Sequence, residues 1–451
     1  MKVLYADRVL AGADLTPIDH GAVVVDGTTI RWIGPRAELP SPGSDLLDPE
    51  AEIVDLGDAT ILPGLIDAHV HLGFDGSAEP VARMMRESDA QQVATMLASA
   101  RQLLSVGVTT ARDLGARGYL DVVVREAILD GTARGPRMVT AGPAITVTGG
   151  HCWFMGAEVD SVEDMRRTVR RHHKAGVDAI KLMATGGNMT RGSAPWHAQF
   201  TVEEIRAAVD EAHRLGKKVA AHAHGVEGIR RSLAAGVDTL EHCSFQGKDG
   251  WGDIDPALVD AIAAADVHVS PTCNFRMPQL RELLPERSFA VGLLYEAGAS
   301  IIASTDAGID NTPHHGFVGG LEALAGFGLS APDVLAAATT RAAEALDVAD
   351  VTGRLAAGYA ADLIAVGGDP RADVGALHDL RYVMTRGSRF VPDALPPLPE
   401  VDLSSSPILA AMRAAMHSEG AGLRDSTDSG AGPQADRAPA DGAGVPAGKG
   451  T

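Results

Sequence analysis

The chain has 451 residues, more than one ordinary hydrophobic core accommodates. Apolar residues make up 45% and charged residues 22%, a globular profile, and no apolar run approaches the ~20 residues that a membrane-spanning helix needs. A formal net charge of −20 repels phosphate backbones and anionic lipid, which argues against nucleic-acid and membrane partners.

The opening MKVLYADRVL has no basic segment leading into a long apolar run and a cleavage site, so a cytoplasmic protein is expected. Three cysteines, Cys152, Cys243 and Cys273, form no CxxC pair and fit a reducing compartment. Residues 1–58 read as β structure, with a hairpin about Asp26-Gly27 in AVVVDGTTIRWIG. From residue 59, short apolar strands alternate with helices. The strand runs are ILPGLIDAHVH, VTTARDL, RMVTAGPAI, VDAIKLM, KKVAAHAH, VDTLEH, VHVSPTC and ASIIASTD. VEDMRRTVRRHHKAG and VEEIRAAVDEAHRLG carry apolar and charged faces at helical spacing, and each ends on a glycine suited to a C-cap.

Eight such units in series call for an α/β fold, a (β/α)₈ TIM barrel over residues 59–349. After a last helix, APDVLAAATTRAAEALD, β character returns in ADLIAVGGDP and RYVMTRGSRF. Residues 1–58 and 350–400 are therefore expected to form one small composite β-sandwich from both chain ends. Residues 404–451, rich in Gly, Ala, Ser, Asp and Pro, read as a disordered tail because they cannot bury enough apolar area to offset their ordering entropy.

The strand ends carry the chemistry. His69 and His71 stand two apart on the first barrel strand, so both side chains point to one face. Lys181 ends strand four, His222 and His224 end strand five, His242 ends strand six and Asp306 ends strand eight. A charged Lys or Asp at such a position is costly unless paired or ligated, and the C-terminal rim is where barrel enzymes place their active sites. Convergence of these five strand ends points to a metal centre, and imidazoles with carboxylates suit zinc. His172, His173 and His213 lie on predicted helices and are expected to face solvent. Trp153, Trp196 and Trp251 fall in loops after strands three, four and six, where they could line a pocket for a bulky apolar group. His315, beside His314 in the loop after strand eight, is a further candidate substrate contact, as is His197 after strand four.

HVH on strand one, Lys on strand four, His on strands five and six, and Asp on strand eight resemble the amidohydrolase superfamily. TVTGGH, IKLMATGG, AHAHG, DTLEH and STDAG are similar to its imidazolonepropionase-like branch, which includes Xaa-Pro dipeptidases and related metallocarboxypeptidases. The resemblance covers residues 1 to about 395. It implies two divalent ions, one held by His69, His71 and Asp306 and the other by His222 and His242. Lys181, carboxylated by carbon dioxide, would bridge them as a carbamate. It implies hydrolysis of an amide-type C–N bond by a metal-activated hydroxide, in an Xaa-Pro dipeptide or N-acyl amino acid. Asp306 would shuttle the proton from the hydroxide to the leaving nitrogen. His151, in TVTGGH, resembles a substrate-carbonyl contact. Where the prolidases of that branch carry tyrosine, this sequence has His224, which points inward with His222 and could polarise the same carbonyl.

The remaining readings differ in metal count. A mononuclear deaminase or cyclic-amide hydrolase on the same fold typically lacks the strand-four lysine, and a non-catalytic relative should have lost ligands that are retained here. The expected partner is a small-molecule substrate, and a homo-oligomer is compatible with the sequence.

Overall fold

The computed structural model describes residues 1–248, 250–251, 254–283 and 289–400. The tail expected at 404–451 and the side chain of Trp251 lie outside this part.

The chain opens with β1 (Lys2–Ala11), β2 (Thr16–Asp26), β3 (Thr29–Pro35), β4 (Glu52–Asp55) and β5 (Ala59–Pro63). β2 and β3 pair antiparallel with Asp26 facing Thr29, the hairpin expected from Asp26-Gly27. β1 pairs antiparallel with β2 and parallel with β4 and β5. β5 had been expected to begin the first barrel strand. It belongs instead to this sheet, and the chain breaks at Gly64, where a Cβ would come within 2.0 Å of Thr109 Oγ1.

The central strands follow: β6 (Leu65–Val70), β7 (Val108–Asp113), β8 (Arg137–Thr140), β9 (Ile145–Thr146), β10 (Ala157–Glu158) and β11 (Ile180–Met183). Next come β12 (Val219–Gly225), β13 (Thr239–Gly247), β14 (Gly250–Trp251), β15 (His268–Ser270) and β16 (Ser300–Ile301). Each of the eight predicted runs supplies one strand of the central parallel series: β6, β7, β8, β11, β12, β13, β15 and β16. β6, β7 and β8 pair in parallel, and so do β11, β12, β13, β15 and β16 in turn. Thr140 O accepts from Ala179 N at 3.0 Å, joining β8 to the approach to β11. Ala68 N donates to Ala303 O at 3.0 Å, bringing β6 beside the segment that leaves β16. Ile180, Leu182, Val219, Leu240, Val269 and Ile301 are wholly buried, each worth roughly 1.5–3 kcal/mol in apolar transfer.

Helices cover the strands as their periodicity predicts. Ser161 caps the helix Val162–Ala175, and Thr201 with Glu204 forms a capping box on Val202–Arg214. His172 does not face solvent as expected. It is buried against the strands, with Nε2 2.7 Å from Pro143 O and Nδ1 3.0 Å from Tyr119 Oη, whereas His173 and His213 are exposed. Apolar spacing alone would not put a histidine inward; two polar partners waiting there do. The predicted last helix is split into Ala331–Ala337 and Thr340–Ala345.

The chain ends in β17 (Leu363–Gly367), β18 (Leu380–Thr385) and β19 (Ser388–Phe390). β17 pairs antiparallel with β5, so strands from both chain ends share one sheet, ordered β19-β18-β17-β5-β1-β2-β3.

Candidate metal centre

His69 and His71 leave the end of β6 with both rings buried on one side, and their Nε2 atoms lie 3.3 Å apart. Asp306, just past β16, brings Oδ1 to 3.4 Å from His69 Nε2 and 3.2 Å from His71 Nε2. Two backbone bonds hold this register, Asp306 N to His69 O at 2.9 Å and His71 N to Ala307 O at 2.8 Å. The side chains of His222 and His224 on β12 and His242 on β13 make a second group, each offering a nitrogen within 4.8 Å of the others. His222 Nδ1 and His242 Nε2 are 2.9 Å apart, and His242 Nδ1 meets Thr272 Oγ1 at 2.9 Å. Lys181 on β11 brings Nζ to 3.5 Å from His69 Nε2. It is fully buried, and among the described residues no carboxylate lies within ion-pair distance of it.

The backbone is bent to this purpose. His242 within β13, Thr272 just past β15 and Asp306 past β16 adopt left-handed φ of 67°, 52° and 58°. Such conformations are rare for side-chain-bearing residues and concentrate at functional sites.

Burial governs the electrostatics. It lowers the pKa of His69 and of His224 to about 4 and that of His151 to about 3, and pulls His222 and His242 well below the ordinary imidazole value. These rings are therefore neutral near pH 7, the state in which a nitrogen lone pair can ligate. Burial likewise brings Lys181 down to about 8, against the opposing charges of Glu241 and Asp306. For Asp306 burial works upward, but His69, His71 and Lys181 outweigh it and keep the carboxyl ionised.

Sequence reasoning missed the layer beneath. Glu241 Oε2 lies 2.8 Å from His69 Nδ1, while its Oε1 accepts from Arg112 Nη2 at 2.9 Å and Thr239 Oγ1 at 2.5 Å. Arg112 Nε donates to Ala68 O at 2.8 Å, and neither Arg112 nor Glu241 has appreciable exposure. Burial would raise the Glu241 carboxyl, but Arg112 and the bond to His69 hold it well below the usual range. Asp67 is also buried, its pKa raised to about 7 by desolvation, and accepts from Thr305 Oγ1 at 2.5 Å and from His69 N at 3.3 Å. The only sequence signal was position: Asp67 and Glu241 each immediately flank or alternate with a proposed ligand on its strand.

The remaining predicted contacts divide. The His151 ring sits 4.7 Å from that of His222, and its buried Nδ1 has no hydrogen-bond partner among the described residues. It lies in the loop after β9. The His224 ring stacks 4.2 Å from that of His242, with Nδ1 2.8 Å from Ser244 Oγ. The backbone of Trp196 packs on Gly225, one residue beyond His224. Trp153 is 42% exposed, and the apolar groups against His71 are instead Phe74, 5.4 Å away ring to ring, and Met155. His315 is not brought to the centre: its Nδ1 meets Gln102 on the outer helix Asp89–Ser105 at 3.0 Å. Its neighbour His314 turns inward to His71 O at 3.2 Å, and His197 is exposed.

The amidohydrolase family profile matches residues 60–389, the segment that carries every one of these donors. The chain belongs to the amidohydrolase family. It is 28% identical to the ochratoxinase of Aspergillus niger over 420 residues, covering 85% of this chain and 84% of that one. It is 27% identical to the imidazolonepropionase of Paracoccus denitrificans over 380 residues, 77% of this chain and 87% of that one. Among solved structures, an Xaa-Pro dipeptidase with methionine bound in its active site superposes with a TM-score of 0.75 at 28% identity, over 86% of this chain and 99% of the other. As an amidohydrolase the protein is a metal-dependent hydrolase of carbon–nitrogen bonds.

Proposed function

We propose that this amidohydrolase holds two divalent ions, zinc by donor type, and cleaves the amide of an N-acyl amino acid or Xaa-Pro dipeptide. The observation that carries the reading is the buried Lys181 amine, without a carboxylate partner among the described residues, beside His69 of one of two groups of convergent donors. The donor set fits a pair of ions: His69, His71 and Asp306 would hold one, His222 and His242 the other, and Lys181, once carboxylated, would add an anionic ligand. Bound there, the ions would lower the pKa of a water and polarise the carbonyl.

The chain's own groups supply the rest. Asp306, ionised and opening toward the mouth, takes a proton and returns it to the leaving nitrogen. The Nδ1 of His151, unpartnered among the described residues, and the ring of His224 are available to the carbonyl oxygen of the substrate. Phe74 and Met155 form the apolar wall nearest the ligands, with Trp153 and Trp196 farther out. The hydrogen-bonded circuit of parallel strands supports a closed (β/α)₈ barrel. The sheet shared by the chain ends supports a composite β-sandwich of residues 1–58 and 350–400, extended to take in β5. Three free, buried cysteines support a reducing, cytoplasmic setting.

The test is metal content together with turnover. Protein reconstituted with zinc should bind two ions, more completely with bicarbonate present, and should release amino acid from a panel of N-acyl amino acids and Xaa-Pro dipeptides. One ion per chain, with deamination or ring opening in place of amide cleavage, would favour the mononuclear reading.

A further inference from the structure

Arg276 follows β15 in the loop that leaves the same end of the strands as Asp306. Its Nη2 donates to Thr312 Oγ1 at 2.9 Å, and Gly308 N donates to Thr312 O at 2.8 Å, so two short links tie the guanidinium to the turn that begins at Asp306. Its backbone N donates to Asn274 Oδ1 at 3.1 Å, and His242 is held from the same loop by Thr272. Arg276 is half-buried, yet among the described residues no carboxylate lies within 4.0 Å of it, and Thr312 is the single side chain that its guanidinium meets. Burial draws its pKa below the ordinary guanidinium value, with Asp310 and Asp306 acting the other way. Where Arg83, Arg101, Arg112, Arg125, Arg214 and Arg381 all meet carboxylates, this one keeps its Nε and Nη1 free of hydrogen bonds to the described residues.

A desolvated cation left without an anion is costly, and a guanidinium presents donors in a fork that matches a carboxylate. We infer that Arg276 is a specificity-determining residue that binds the free carboxylate on the amine side of the scissile amide. This rests on the proposed amide hydrolysis and assigns a residue to the carboxylate that its substrates carry beyond the leaving nitrogen, so that the neutral carboxamide of the same compound is a poor substitute. Phe74 and Met155 supply an apolar wall beside His71, and Arg276 supplies a cation. A substrate with an apolar acyl group and a charged amine-side end would be oriented by the two together.

The probes are N-benzoyl-L-methionine and its carboxamide, used in two measurements. In equilibrium binding to metal-free protein, wild type should bind the acid at least tenfold more tightly than the amide. Arg276→Met should lose that difference and Arg276→Lys should keep part of it. In kcat/KM with zinc-loaded protein, Arg276→Met should lower acid turnover at least tenfold more than amide turnover. Equal binding of acid and amide by wild type, or an undiminished acid preference in Arg276→Met, would overturn the inference while leaving amide hydrolysis standing. Failure of zinc-loaded wild type to cleave either probe or any N-acyl amino acid would overturn the proposed function itself, and the binding measurement would still report on Arg276.

Discussion

The 2.8 Å contact from Glu241 Oε2 to His69 Nδ1 decides which nitrogen of His69 faces the mouth. A carboxylate at Nδ1 keeps the proton there, so the Nε2 lone pair points at His71, Asp306 and Lys181. Arg112 in turn keeps the Glu241 charge tolerable in a site closed to water.

Glu241→Leu should therefore have two separable effects. It leaves Arg112 buried without its partner, at a cost of about 3–5 kcal/mol to folding, and it weakens zinc binding about 10–100-fold. Adding Arg112→Met should restore most of the stability and none of the zinc affinity. Denaturant unfolding and zinc titration of both variants check this; recovery of zinc affinity in the double variant would show that Glu241 acts only through folding.

Lys181→Ala should lose most activity and bind fewer than two zinc ions. Acetate or propionate should restore part of both by lending a carboxylate where the carbamate would stand. Two ions held fully by the variant without any added carboxylate would remove Lys181 from the bridge.

For Asp306→Asn, which keeps an oxygen and cannot take the proton, kcat should fall by at least ~10²-fold with metal largely retained. Turnover within a few-fold of wild type would end its role as proton shuttle.

His172 gives a pH dependence of stability away from the centre. Its pKa falls from 6.5 to about 4 on folding because burial penalises the charged ring. The unfolded chain then binds the proton more readily, so this stability is full above pH 6.5 and is lost as pH falls toward 4. Between pH 7 and pH 5 the loss from this one group is about 2 kcal/mol. Urea unfolding of His172→Gln at the two pH values should show that much less acid sensitivity than wild type; an unchanged difference would place the charge sensitivity on other histidines.

The strands and the proposed ligands were legible because each rests on local pattern. Short apolar runs show where parallel strands lie, and the two-residue spacing of His69 and His71 shows that their rings share a side. Glu241 and Arg112 were illegible for the opposite reason: a charged residue in a strand looks the same whether it meets water or a buried partner from another strand. His172 and His315 were misjudged alike, since a histidine's direction depends on partners, Pro143 and Gln102, that are distant in sequence. β5 was assigned to the wrong sheet because no turn residue other than Pro63-Gly64 interrupts the run from Ile61 to Val70, and the close approach of Gly64 to Thr109 is a contact distant in sequence.

The pairing of Pro63 with Leu363 sets a timetable for synthesis. At ribosomal speeds of about 5–20 residues per second, β5 emerges roughly 15–60 s before the strand that will cover its edge. Through that interval the nascent chain shows an apolar, unpaired strand margin of the kind that recruits other chains. The eight central units, whose neighbours arrive in order, can assemble meanwhile and hold β5 near the place where β17 will land. Slowing translation beyond residue 350 should then raise aggregation of the newborn protein far more than the same delay placed after the last strand is out.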